Sequence, residues 1–433
     1  MEQRSYIRDF AHYTALSVLG TLGVSCYILA DTFFISKGLG TSGLTALNLA
    51  IPVYNFIHGT GLMLGMGGAT KFSVCKSQKR IEEVNRVYTN TIYLVLIFSA
   101  AFVLIGFIFP NQLAKLLGAD ETVLGMTYTY LRWLLIFAPA FILNDVLLCF
   151  VRNDGSPQLS MIAMLIGSFS NIILDYIFIF PMKMGIFGAV FATGLSPVIS
   201  IVLMLPHWGR KKNTFHFVKI KIRKYIVKQN LSLGFPYLIA QLSSGIVMIS
   251  FNAIILKLSG NTGVAAYGIV ANISLVIAAV YTGMAQGIQP LFSSFYGVGN
   301  NRQARTILKY ALVTMLSVSV IVYLFIFAFA ELITAVFNSE NNVELQQISV
   351  KGLKLYFISI PFVGYNIIIA TFFTSVEKAF PAHILSILRG LVLIIPMAFL
   401  LSALWKMTGV WLSYPITEML TALLGFVIYK HKN

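Results

Sequence analysis

Apolar runs of membrane length recur from one end of this chain to the other, and nothing else in the sequence constrains it as tightly. A bilayer offers the backbone no water, so only helices and closed barrels cross it. About twenty apolar residues suffice for a helical crossing. Twelve such runs can be drawn, at approximately 10–36, 44–70, 88–110, 124–150, 158–181, 186–207, 229–257, 264–296, 307–331, 347–373, 381–403 and 408–430. Of 433 residues, 58% are hydrophobic and 11% charged, whereas soluble domains carry about 25% charged residues. The expectation is an all-α integral membrane protein with no soluble module. The start, Met1 to Asp9, leads into the first run without a small-residue cleavage pattern, so a retained first helix is expected.

The net charge of +16 does not call for a nucleic-acid partner. The basic residues gather in particular short connections. Lys71, Lys76, Lys79, Arg80 and Arg86 lie at 71–86; eight, from Arg210 to Lys228, lie at 208–228; Arg302, Arg305 and Lys309 lie near 297–309. All three connections follow even-numbered runs. The positive-inside rule then places the even connections and both termini in the cytoplasm. The 208–228 stretch reads as an amphipathic, surface-lying linker between halves. Cys26, Cys75 and Cys149 show no metal-ligand spacing, and the six histidines form no cluster. No disulfide framework is expected.

The halves resemble each other. A shift of 220 residues lays Gly43-Leu44-Thr45-Ala46 on Gly263-Val264-Ala265-Ala266, Gly67 on Gly287 and Ser73 on Ser293. The shift spans six runs, so the repeats share one topology, as transporter repeats often do. The expected division is an N-terminal six-helix lobe (1–207), the basic linker (208–228) and a C-terminal six-helix lobe (229–433), pseudo-symmetric to the first.

Chemistry inside the membrane rests on few residues. Fifteen acidic residues exist, and most lie in connections. Asp31, Asp145, Asp175, Glu377 and Glu418 stand in apolar context. An ionisable residue in hydrocarbon costs at least about 2.5–3.5 kcal/mol, so each needs compensation. Asn171 precedes Asp175 by one helical turn and shares its face. Counted from the expected outer helix ends, Asp31, Asp175 and Thr193 all lie roughly 8–10 Å deep. An oxygen-rich set of this kind suits a hard monovalent cation or a proton; hydrogen-bonded packing alone is the competing reading. Tyr27, one turn before Asp31, is positioned to hydrogen-bond to it. Asn144 and Asp145 extend the polar network. Glu377 beside Lys378 reads as a solvated pair, and Glu418 has no evident partner. Gly61 to Gly68 reads as a close helix-packing surface. No phosphate-binding glycine loop and no nucleophile–base or metal-ligand set is visible, so no enzyme and no cofactor is expected.

Taken in order, Ala30-Asp31-Thr32-Phe33-Phe34-Ile35, Gly38-Leu39-Gly40, Pro52, Val151 to Pro157, Asn171 to Phe180 and Met184 to Thr193 make a set. The chain resembles the multidrug and toxic compound extrusion transporters over essentially its whole length. The resemblance implies a cation-coupled antiporter of two lobes that rock between outward- and inward-open states. It carries a cation site onto Asp31, Asn171, Asp175 and Thr193, with Ala189 in the supporting stretch, and Na⁺ or H⁺ as coupling ion. Some family members bear acids on the seventh and tenth helices; here those helices offer Ser243, Ser244 and Asn366, so a C-lobe cation site is not expected. The reading is a monomeric exporter of amphipathic, often cationic organic compounds in the inner membrane, in contact with membrane lipids. The alternatives are a lipid-linked oligosaccharide flippase, which needs cationic side chains in its cavity, and a non-transporting membrane sensor.

Overall fold

Two glycines turn the chain where no other residue would sit comfortably. Gly40 (φ 67°, ψ −159°) and Gly260 (φ 59°, ψ −154°) occupy a region closed to side chains bearing a Cβ. They stand 220 residues apart and adopt nearly the same conformation. The computed structural model describes residues 2–338 and 342–432; Glu340, expected in a connection, lies outside them. Gly40 separates α1 (2–39) from α2 (41–77), and Gly260 separates α7 (224–259) from α8 (261–297).

The remaining membrane helices follow in order. α3 is Ile81–Ile108. α4 joins Leu124–Ile136 to Ala138–Asn153 across a 47° bend, where Pro139 enters the helix. α5 is Pro157–Ile179, α6 is Gly185–Met204 and α9 is Asn301–Phe337. α10 joins Val343–Tyr356 to Ile360–Ser375 through a 3₁₀ turn. α11 (379–404) contains a π-turn at Leu388–Val392, and α12 (407–432) follows a break at Trp405 and Lys406. Every regular element among the described residues is helical, and the breaks resolve the long helices into twelve crossings. Large apolar side chains face outward along α3 and α9, among them Leu104, Phe107, Ile321 and Phe325. Such surfaces belong against lipid, and the chain is a multi-pass membrane protein.

The buried apolar residues form two clusters. One runs from Ile35 to Ile226, the other from Phe251 to Trp411 with Phe10 of α1 added. Between them α1 and α2 pack on α7 and α8. Gly67 of α2 faces the Asn230 carbonyl, and Gly287 of α8 faces the Tyr13 carbonyl. A Cβ at either glycine would collide with backbone, so these helices approach more closely than side chains allow.

The linker between the halves is extended rather than helical. Residues 213–223 carry no helix, and α7 begins at Lys224 rather than 229. The segment lies extended along α3. His216 N–H donates to Asn85 Oδ1 (2.7 Å), Val218 N–H to Thr89 Oγ1 (3.0 Å) and Arg223 N–H to Asn90 Oδ1 (2.9 Å). Polar side chains of α3 thus supply the acceptors that a helix would have found in itself.

Candidate functional site

Asp31 on α1, Asn171 and Asp175 on α5, and Thr193 on α6 are all buried, and they meet. Counted from the helix ends, Asp31 lies nine residues from the turn, Asp175 four and Thr193 eight, not the near-equal values counted from sequence. Asn171 bridges two helices: its Nδ2 donates to Asp175 Oδ2 (3.0 Å) and its Oδ1 accepts from Thr193 N–H (3.2 Å). Thr193 Oγ1 donates to the Ala189 carbonyl (3.0 Å). The carboxyls of Asp31 and Asp175 lie in hydrogen-bond contact. Two carboxyls so placed need one proton or one cation between them.

One oxygen of each carboxyl, Asp31 Oδ1 and Asp175 Oδ1, is buried and meets no donor. A buried anionic acceptor without a partner is costly, and a hard cation or a proton is what would satisfy it. The donor set therefore fits Na⁺ or H⁺. Among the described residues no three His, Cys, Asp or Glu side chains come together, so the set is not that of a zinc-type site. Tyr130 of α4, buried and close to Thr193 and both carboxylates, completes the wall. Nothing in the sequence marks it, because its depth is plain but the direction it faces is not.

The expected supporting residues divide. Ala189 contributes its carbonyl. Tyr27 does not turn to Asp31: its hydroxyl lies 2.6 Å from that of Tyr54. Asn144 keeps a buried Oδ1 without a partner. Asp145 pairs with His58, whose Nδ1 lies 2.8 Å from Asp145 Oδ2. His58 therefore joins a polar cluster that the sequence did not mark. Tyr54 stacks on the His58 ring at 6.0 Å between centroids. Tyr27, Tyr54, His58 and Asp145 thus form a polar chain across α1, α2 and α4.

Two further acidic residues find partners that the sequence did not reveal. Glu418 of α12 accepts from Arg389 Nε (3.1 Å) and Nη2 (3.0 Å), and from Asn366 Nδ2 (2.7 Å). Arg389 sits in the π-turn of α11, a local irregularity that often accompanies functional residues. Glu377, expected beside Lys378 in solvent, is largely shielded and binds Lys71 of α2 at 2.7 Å, across the two halves.

That contact is part of a seam. Asn153 Nδ2 donates to Gln289 Oε1 (2.8 Å), Gln289 Nε2 to Thr70 Oγ1 (3.1 Å), and Ser293 Oγ to the Ser375 carbonyl (3.2 Å). Gln78 Nε2 donates to the Gly297 carbonyl (2.9 Å). All these groups lie at the helix ends that carry the basic connections, so the halves are closed there.

Asp154 fastens the same end. It accepts from His207 Nε2 (2.8 Å), from Thr214 N–H (2.8 Å) and Thr214 Oγ1, and from Lys76 Nζ. Burial pushes its carboxyl pKa up, but these bonds and the Lys76 charge outweigh burial and hold it below the ordinary value.

With this geometry in hand, comparison with known proteins is informative. The family model MatE matches residues 17–177 and 236–400. The chain is 26% identical over 429 residues to the multidrug export protein MepA of Staphylococcus saprophyticus, covering 99% of this chain and 94% of that protein. It is also 26% identical to MepA of Staphylococcus aureus strain MRSA252, with the same coverage. Among solved structures, an outward-facing multidrug resistance MATE family transporter of the MOP superfamily superposes with a TM-score of 0.92 at 24% identity, covering 98% of this chain and 95% of that one. A MOP superfamily transporter from Pyrococcus furiosus superposes with a TM-score of 0.90 at 25% identity and the same coverage.

Proposed function

The chain belongs to the MatE family, and from that premise we propose that it exports amphipathic, often cationic organic compounds by antiport with Na⁺ or H⁺. The observation that carries this reading is the pair of buried carboxyls, Asp31 and Asp175, each with an unpartnered oxygen. Two buried carboxyls in contact with each other, with no basic side chain beside them, suit a shared proton or cation better than packing alone. The coupling cation binds there, held also by Asn171 and Thr193, and favours one arrangement of the two six-helix lobes. The organic compound favours the other, so the two occupy the protein in turn. MepA, similar over 99% of this chain, is named a multidrug export protein, which supports the substrate class.

The closed seam lies on the side of the basic connections. With those in the cytoplasm, the protein sits in the inner membrane with both termini cytoplasmic, and this is its outward-facing state. A flippase for a diphosphate-linked sugar would present free cationic side chains to the cavity. Arg389 is instead bound to Glu418, and Arg132 Nη1 donates to the Tyr128 hydroxyl at 2.9 Å. The neutralisation of Arg389 by Glu418 favours export of organic compounds. The test is uptake of a fluorescent organic cation into proteoliposomes under Na⁺ and pH gradients imposed separately. One gradient should drive uptake by the wild type and fail with Asp31→Asn/Asp175→Asn. Undiminished coupled transport by that double variant would sink the mechanism.

A further inference from the structure

His58 of α2 and Asp145 of α4 pair inside the N-terminal half, apart from Asp31 and Asp175. His58 Nδ1 lies 2.8 Å from Asp145 Oδ2, and the two side chains are 25% and 8% exposed. We propose that this pair is a second proton-exchanging site, which opens through His58 to the gap between the two halves.

The direction His58 faces follows from its neighbours on α2. Tyr54 and Gly61 face α4, against Phe141 and the Asp145 carboxylate. Asn55 and Gly59 face α7: Asn55 Nδ2 donates to Ser244 Oγ (3.4 Å), and Gly59 meets the Gln241 side chain. At about 100° per residue, His58 falls between these two faces. It points to the gap between α4 of one half and α7 of the other. Phe56, exposed and packed on Phe102 of α3, lies about 160° around the helix. The exposed part of the imidazole therefore belongs to the gap between the halves and not to the lipid side. Nδ1 is turned to the carboxylate, so Nε2, on the far side of the ring, is the atom through which a proton comes and goes.

The surrounding charges give that proton its weight. Asp145 Oδ2 meets no donor besides His58. On α4, Cys149 and Arg152 follow Asp145, and Arg152 stands two turns, about 10 Å, further along the axis. Tyr27 of α1 and Tyr54 of α2 are bonded to each other, and Asp31 follows Tyr27 by one turn. On α7 the titratable groups are Tyr237 and, near the helix ends, Lys224, Tyr225, Lys228 and Lys257. None of these sets a positive charge beside the Asp145 carboxylate, so an imidazolium at His58 neutralises it. Imidazole exchanges a proton readily near neutral pH, and the Tyr54 ring, stacked at 6.0 Å and 13°, holds it against Asp145. Loss of the proton from Nε2 to water in the gap leaves a neutral ring and an uncompensated carboxylate, which is costly away from water. The proton stays until another positive charge arrives. On the export function proposed above, on which this step rests, that charge is the organic cation, and its entry expels the proton.

Two measurements on the full-length protein test this. Nuclear magnetic resonance of the histidine rings, with His58→Gln to identify the signal, should show His58 titrating between about pH 5 and 8. Asp145→Asn should move that titration to lower pH by about one unit or more, because the imidazolium loses its counter-charge. A ring that keeps one state across that range, or titrates alike in Asp145→Asn, overturns the proposal. Calorimetry with tetraphenylphosphonium, in buffers of different ionisation heat, counts the protons released per cation bound. His58→Gln should release about one proton fewer than the wild type; equal release overturns the expulsion of the proton by the cation. If the wild type binds no tetraphenylphosphonium, the export function fails, and the ring titration still decides whether the pair exchanges a proton.

Discussion

At the scale of single residues, the polar positions inside the apolar runs were legible, while their relative depths and the directions they face were not. Counting along a run places Asp31, Asp175 and Thr193 near one level, and the helical repeat puts Asn171 beside Asp175. Which way a helix is rotated, and which neighbour it meets, depends on packing between helices far apart in sequence. That is why Tyr130, the pairing of His58 with Asp145, and the pairing of Arg389 with Glu418 stayed hidden. The first of these pairs rests on Gly61, because a Cβ there would collide with the Asp145 carboxylate. Gly61→Ala should therefore destabilise the protein by about 1–3 kcal/mol, measured by thermal unfolding in detergent. Gly125→Ala, where a Cβ meets nothing within 4 Å, should not. Asp154 sets a pH dependence of its own. Its pKa is depressed on folding, so its contribution is fully present above the ordinary value of about 3.9 and is lost as pH falls through the lower folded value. The linker should stay protected from protease at pH 5 and become cleavable only below about pH 4. Asp154→Asn should be cleaved at neutral pH.

At the scale of elements, the crossings and the basic connections could be read because hydrocarbon length and positive charge are written locally in the chain. The turns carry a further record of the repeat. Positive φ occurs at Gly40 and Gly260, at Lys79 and Gly299, and at Gly185 and Lys406, at shifts of 220, 220 and 221 residues. At the last pair the first half uses glycine and the second half a lysine in the same kind of turn. Lys406 (φ 49°, ψ −132°) bears the strain of a conformation suited to glycine, on the order of 1–3 kcal/mol. Lys406→Gly should raise the unfolding temperature, and Gly260→Ala should lower it. The extended course of the linker was not legible, because the acceptors that hold it sit on α3.

At the scale of the whole molecule, the two halves meet through a seam closed at one end. Lys71 and Glu377 are both largely shielded from solvent, so removing one charge leaves the other without its partner. Glu377→Gln should shift the protein towards opening at the basic end. Spin labels at exposed positions 80 and 380, read by double electron–electron resonance, should report longer distances in the variant than in the wild type. An unchanged distance distribution would show that the ion pair does not hold the seam.

The seam also acts as a clock. Asn153, Gln289, Thr70 and Ser293 are buried and bonded to one another, so they part together or not at all. Each such bond contributes about 1 kcal/mol net, about fivefold in rate if it is lost before the barrier is crossed. In the cycle proposed above, parting these side chains, rather than the arrival of a compound, is expected to set the waiting time. Thr70→Val, which deletes one bond and keeps the shape, should quicken turnover at saturating compound by about that factor. A protein built in this way is slow by construction, and its speed can be adjusted without touching the groups that recognise its cargo.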